Sequence, residues 1–272
     1  MNTNALMKGV AIVWIALLGC SPVGWSQDSD ENPNQVLEWN QIFIDSLIVT
    51  NTAGAVSERL GAIVHTAIFD AYNGIERRYT PIFVHDEAPN GASRQAAVIA
   101  AAYTTLVNLF PSRKHALDDA YAASLAALSD DGGDGGESRE RGIAWGTVVA
   151  QSVLAWRATD GFSLSYHPFT GGIATGQWRP TPSAFAPMSA QQLAFTSMFV
   201  LDSNTQFRPG PPRALSSPTY TDDFNTVEAF GRSTGSMRTA DQTAIALFWD
   251  GSASIHWNQA ANQMARDRKS VV

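Results

Sequence analysis

Between Val36 and Asp160 apolar residues recur at intervals of three and four in five successive runs, and no stretch alternates apolar and polar as a half-buried strand does. Helix packed on helix is the arrangement that buries such faces, so the chain is expected to be all-α, a multi-helix bundle. The first run carries Val36, Trp39, Phe43, Ile44, Leu47 and Ile48. The second carries Leu60, Ile63, Val64, Ala67, Ile68, Ala71 and Ile75, with Ser57 read as its N-cap and Gly74 as a residue that loosens its far end. A third, Ala-rich helix runs from Ala92 to Phe110 and is stopped by Pro111. Ser112 is placed as the cap of a fourth, through Leu117, Tyr121, Leu125 and Leu128, and residues 129–136 then read as a flexible surface loop. Glu137 and Glu140 open the fifth helix, where a helix N-terminus favours negative charge, and it ends near Asp160-Gly161.

Residues 161–218 break this rhythm with Pro168, Pro180, Pro182, Pro187, Pro209, Pro211, Pro212 and Pro218 among glycines and aromatics. A segment this long without regular structure either serves function or wraps over a core. One short helix is expected within it, from Ser189 to Val200, and three more follow at Thr221 to Phe230, Thr239 to Trp249 and Ser254 to Arg268. Thr239-Ala240-Asp241-Gln242 is a capping box, the best-marked helix start in the chain. The last helix has no cap or Gly stop before Val272, so it reads as cut off and the fold as C-terminally truncated.

Ahead of the bundle, Lys8 precedes the apolar run Gly9 to Gly19, which matches a secretory signal and is too short to span a bilayer. Leu17-Leu18-Gly19-Cys20 resembles a lipobox, which would place a lipid anchor on Cys20; Gly24-Trp25-Ser26 offers ordinary cleavage instead. The expected organisation is a signal over 1–26, an N-terminal helical region over 27–160, the wrapping segment over 161–218 and the start of a second helical region over 219–272. The product is expected to be exported, as a periplasmic protein, an outer-membrane lipoprotein or an extracellular protein, with no transmembrane span once the signal is removed. Cys20 is the single cysteine, so packing rather than disulfides must hold the domain. The net charge of −7, which becomes −8 when residues 1–26 leave with Lys8, gives no support for a nucleic-acid partner.

Short motifs weigh little against plainer readings. Gly231-Arg232-Ser233-Thr234-Gly235 spells a nucleophile elbow, but that elbow needs a strand before it and Phe224 to Phe230 reads as helix. The five histidines, His65, His85, His115, His167 and His256, make no H-x-x-x-H pair, and His115 with Asp118 and Asp119 reads as a solvated helix face. His65 reads as a hydrogen-bonded histidine at the edge of the second helix's apolar face. The acidic loop fails the calcium-loop count, with Gly132 and Arg141 where ligands would stand. No catalytic, cofactor-binding or metal residues are assigned. Phe207, Pro209, Trp249, His256, Trp257 and Asn258 are retained as a candidate pocket wall, since aromatic and Pro side chains can line an apolar site with few polar groups.

Three blocks carry a family resemblance: Arg59 through Ile75 (RLGAIVHTAIFDAYNGI), Gly176 to Pro182 (GQWRPTP), and Gln206 to Asn258 with its His256-Trp257-Asn258 ending. Together they resemble the bacterial vanadium-dependent haloperoxidases, relatives of acid phosphatases. The resemblance implies a mostly helical secreted protein whose full-length relatives bind vanadate and use peroxide to oxidise halide. In the family the anion is held by a K-x-x-x-x-x-x-R-P segment, a Ser-Gly-His loop and a later Arg and His. None of these carries over. The lysines are Lys8, Lys114 and Lys269; Arg179-Pro180 and Arg208-Pro209 have Gly172 and Leu201 where Lys should stand; and no Gly-His pair occurs.

The expectation is therefore an N-terminal fragment of a haloperoxidase-like protein, inactive as written, with no cofactor in this fragment. Its partner would be the missing C-terminal half of the same protein. Two alternatives stand beside it: a non-catalytic exported helical lipoprotein or binding protein, and a fragment of an acid phosphatase from the same superfamily.

Overall fold

The computed structural model describes residues 34–52, 54–128 and 135–267, within one compact unit. The signal, Cys20, the acidic run 129–134 and the last five residues lie outside the described residues. Among those described there are eight α-helices and no strand, which is the all-α class the periodicity implies. No described helix is long and apolar enough to cross a membrane.

Helices α1 (Gln35–Val49) and α2 (Ala55–Glu76) start differently. Asn34 caps α1 through Oδ1, which accepts from the N–H groups of Val36 and Leu37. α2 opens at Gly54 with no side-chain cap, so Ser57 is not the N-cap: it lies inside the first turn, where its hydroxyl donates back to the Gly54 carbonyl at 2.7 Å. Gly74 also departs from expectation. The helix runs past it to Glu76, and its missing side chain makes room for the Trp145 indole, whose Nε1 donates to the Ala71 carbonyl at 2.9 Å.

α3 (Arg94–Leu109) is the axis of the bundle, capped by Ser93. Residues Ala96 to Ala102 are all buried, as a helix covered on every side must be. Ala96, Val98, Ile99, Ala102 and Leu106 face one core cluster with Trp39, Phe43, Leu47, Val64 and Ile68, while Ala97 and Ala101 face another with Ile63, Ala67, Ala71, Trp145, Val149 and Val153. Pro111 does end α3, but it opens a 3₁₀ turn, Pro111–Arg113. α4 (Lys114–Ala126) then begins after Arg113, so Ser112 is not its cap.

α5 (Gly135–Ala158) includes Gly135 and Gly136, which were expected in the loop. Along it, Gly142 and Gly146 face α3 so closely that a methyl group on Gly146 would collide with the Ala97 carbonyl oxygen, and one on Gly142 with that of Ser93. The G-x-x-x-G spacing places both on one helical face, and the Ala-rich surface of α3 supplies the matching flat contact.

Between α2 and α3 the chain runs extended, and buried Asp70 holds it. Oδ1 accepts from the N–H of Ile82 at 2.8 Å, and Oδ2 from those of Phe83 and Val84, both at 2.9 Å. Phe83 then stacks on Trp156 of α5 with ring centres 4.4 Å apart.

After α5 the wrapping segment carries only a 3₁₀ turn, Gln191–Ala194, in place of the helix expected from Ser189 to Val200. Its fixed point is a buried charge cluster. Arg157 Nη2 donates to Asp160 Oδ2 and to the Ser197 carbonyl, both at 2.6 Å, and Nη1 donates to the Met198 carbonyl. Arg59 Nε donates to the same Asp160 oxygen at 2.8 Å, and the Arg157 guanidinium lies 3.9 Å from the centre of the Phe199 ring.

α6 (Pro218–Gly231) is capped by Ser217 with Pro218 at its first position, and α7 (Ala240–Trp249) carries the capping box of Thr239 and Gln242 in full. Neither helix has a buried residue. Gly231 ends a helix rather than following a strand, so Gly231 to Gly235 is a helix end and turn, not a nucleophile elbow. α8 (Ala253–Asp267) returns to the bundle and packs on α1 and α2.

Candidate functional site

α8 meets the bundle through polar side chains. Ser254, Asn258 and Asn262 follow one another at intervals of four, so they form one stripe, and Ser254 and Asn262 are buried. Ser254 Oγ lies 2.9 Å from Ser57 Oγ of α2, Asn258 Nδ2 donates to the Ser254 carbonyl, and Asn262 Oδ1 accepts from Asn40 Nδ2 of α1 at 2.8 Å. Asn40 Oδ1 in turn pairs with His65 Nε2 at 2.9 Å. His65 is thus the hydrogen-bonded boundary histidine expected, and its ring also meets Phe43 edge-on.

Asn40 Nδ2 donates to Asn262 and Asn40 Oδ1 faces His65 Nε2, an arrangement that the Nε2–H tautomer of the imidazole satisfies. Burial lowers the His65 pKa below its ordinary value, so the ring is neutral near pH 7 and Nδ1 carries a free lone pair.

His65 is one wall of an open cleft of about 370 Å³ between α2 and the first turns of α8. Ser57, Glu58, Gly61 and Ala62 complete the α2 side; Ala253, Ser254, Trp257 and Asn258 make the other. Among the described residues that line it, Glu58 is the only charged one. Trp257 and Asn258 of the expected pocket wall are therefore brought to one cleft. Trp249 and His256 stand beside it in an aromatic cluster: the His256 ring stacks on Phe248 at 5.4 Å, and Trp249 lies 5.9 Å from Trp257. Phe207 and Pro209 are exposed in the wrapping segment and do not line the cleft.

Asn40 and Asn262 escaped the reading of the sequence because a helix's inward face was assumed to be apolar. Asn40 carried a signal all the same: it stands four residues after Val36 and three before Phe43, on the apolar stripe itself.

An oxyanion such as vanadate needs converging cationic and N–H donors. Several of the cations among the described residues are committed elsewhere. Lys114 pairs with Asp118 at 2.6 Å on the surface of α4, and His115 pairs with Asp119 beside it. Arg59 and Arg157 share Asp160, and Arg179 reaches the Ile173 carbonyl as a loop anchor. These residues do not fit a vanadate site, and no step through that group follows from them. No group of three or more His, Cys, Asp or Glu among the described residues is placed to hold a metal ion.

The architecture is that of a haloperoxidase-like all-α fold. One solved structure of similar fold is a chain described as the first bacterial vanadium-dependent iodoperoxidase, with a TM-score of 0.71, 20% sequence identity and coverage of 87% of this chain. The present chain spans 62% of that chain's length. At this identity the likeness is one of fold. No protein-family model and no curated protein matches the sequence.

Proposed function

We propose that this chain is the N-terminal helical part of an exported vanadium-dependent haloperoxidase-like protein, and that alone it neither holds vanadate nor oxidises halide. The observation that carries the reading is the shared fold, which extends over most of this chain and under two thirds of the iodoperoxidase. The missing donor set supports inactivity: the sequence has no K-x-x-x-x-x-x-R-P segment and no Ser-Gly-His loop, and Lys114 and Arg157 are each paired with a carboxylate.

Exposed apolar side chains on α6 and α7 support a covering partner. Val227 and Leu247 are 71% and 70% exposed, and Phe224, Ile245 and Phe248 are exposed on the same two helices, apolar surface of the kind that marks interaction sites. The proposed partner is the C-terminal half of the same protein, which would also bring the anion-binding segment. An acid phosphatase of the same superfamily differs from this reading only in that second half.

The test is to mix purified residues 27–272 with orthovanadate, peroxide and bromide and to follow bromination of an indicator dye. No turnover is expected; robust turnover overturns the proposal. A second reading, a non-catalytic exported binding protein with a lipid on Cys20, draws support from the α2–α8 cleft, which needs none of the anion donors. It predicts a cooperative thermal transition with no binding of a hydrophobic dye, whereas uncovered α6 and α7 faces bind the dye strongly.

A further inference from the structure

The cleft between α2 and α8 has a chemical character independent of any halide chemistry. Its α2 wall offers an acceptor, His65 Nδ1, on a ring held in place by the chain of hydrogen bonds through Asn40 to Asn262. Its α2 rim carries the Glu58 carboxylate, exposed and engaged by no hydrogen bond or ion pair among the described residues. One side is the Trp257 indole, 65% exposed. Glu58 and His65 are seven residues apart on one helix, about 10 Å along its axis, so they stand on the same face two turns apart. Among the described residues no cation lines the cleft to neutralise Glu58: the side chain of neighbouring Arg59 turns to Asp160 and the Phe162 ring.

We propose that this cleft binds an elongated organic amine, with an ammonium group at one end for Glu58, a neutral hydroxyl or N–H donor at the other for His65 Nδ1, and an apolar or aromatic middle on the Trp257 face. Each end matches a group of fixed polarity. A carboxylate accepts only, and the indole face attracts cations as well as flat apolar groups. Burial keeps His65 neutral, so near pH 7 Nδ1 accepts rather than donates. The 370 Å³ volume falls in the lower part of the roughly 300–1,000 Å³ range of small-molecule clefts, which suits a single ring with a short arm. Ser57 and Ser254, already bonded to each other, hold the two helices together at the base of the cleft. This inference does not rest on the haloperoxidase reading, and the two can fail separately.

Tyramine is the probe, titrated calorimetrically into the purified full chain at low ionic strength. 2-Phenylethylamine, which lacks the hydroxyl, and 4-ethylphenol, which lacks the ammonium, are the comparisons. Saturable tyramine binding is expected, with each comparison weaker by about tenfold, the loss of one polar contact. Glu58→Gln, a substitution on an exposed side chain, should weaken tyramine about tenfold and leave 4-ethylphenol unchanged. Trp257→Ala should weaken all three. Absence of saturable tyramine binding up to about 10 mM overturns the proposal, as does tyramine binding that Glu58→Gln leaves unchanged.

Discussion

Arg157 Nη2 donates to Asp160 Oδ2 at 2.6 Å, and the two side chains are only 1% and 2% exposed. Asp160 also accepts from Arg59, so one carboxylate balances two guanidinium groups at the point where α5 passes into the wrapping segment. Asp160→Ala leaves Arg157 buried without its counter-charge and should cost about 3–5 kcal/mol in urea unfolding. The amides of Ser197 to Phe199 should lose exchange protection first, because Arg157 holds the carbonyls of Ser197 and Met198.

Acid should weaken the fold through two groups with the same sign. The folded His65 pKa lies below its ordinary 6.5 because of burial, so between the two values the unfolded chain holds more protons and stability falls as pH drops below 6.5. Burial alone would raise Asp160, but hydrogen bonds from Arg59 and the Phe162 N–H, with the charges of Arg59 and Arg157, bring it below its ordinary 3.8. Its contribution is present above 3.8 and is lost as pH falls through the lower folded value. Unfolding free energies at pH 7.5 and 5.5 should therefore differ, and His65→Gln should flatten the difference; a pH-independent wild type over that interval contradicts the assignment.

Gly146 sits where α5 crosses α3 at backbone contact. Gly146→Ala drives a methyl into the Ala97 carbonyl, and backbone cannot yield as a side chain tip can, so a loss of about 3 kcal/mol is expected from thermal or urea unfolding. Gly136→Ala is the control. Nothing lies within 4 Å of the added methyl, and the change should be neutral or stabilising by a few tenths of a kcal/mol.

Asp70→Ala removes the acceptor of three N–H groups, of which that of Val84 is fully buried with it. A loss of about 3 kcal/mol is expected, since hydrogen bonds to a charged acceptor are worth about 1.5–3 kcal/mol each and do not add fully. Amide exchange at Ile82, Phe83 and Val84 should quicken by more than the global change accounts for.

Thr239→Ala breaks the capping box, which would ordinarily cost about 1 kcal/mol. Because α7 buries no residue in this chain, the loss should appear as faster exchange along Ala240 to Trp249 and not as a lower global melting point. A lower melting point would mean that α7 is coupled to the core more tightly than its exposure indicates.

The helices were legible where short-range patterns speak for themselves. The α1 stripe appears in the fold through Trp39, Phe43, Ile44 and Leu47, with Ile48 turned outward instead, and the Thr239 capping box appears in full, because period and cap geometry involve residues within a turn or two. Ser57 and Ser112 misled because a serine near a helix start was taken as its cap. The chain enters α2 through Gly54, and Pro111 tightens the turn before α4, so neither serine occupies the cap position. For the site, the aromatic ending Trp257-Asn258 was visible, but its opposite wall was not.

The sequence by itself determined the all-α class, the order of the helices and the Pro-rich break between them, since each follows from local periodicity and from residues that stop or start a helix. Only the tertiary structure decided which faces meet. Asn40 and Asn262 bond although 222 positions apart in sequence, and Arg59 and Asp160 although 101 apart, with no local pattern to announce either pair. Their partners depend on how far each helix is rotated about its axis as the core closes. The close approach at Gly146, the Asp70 anchor and the cleft between α2 and α8 are all consequences of that rotation.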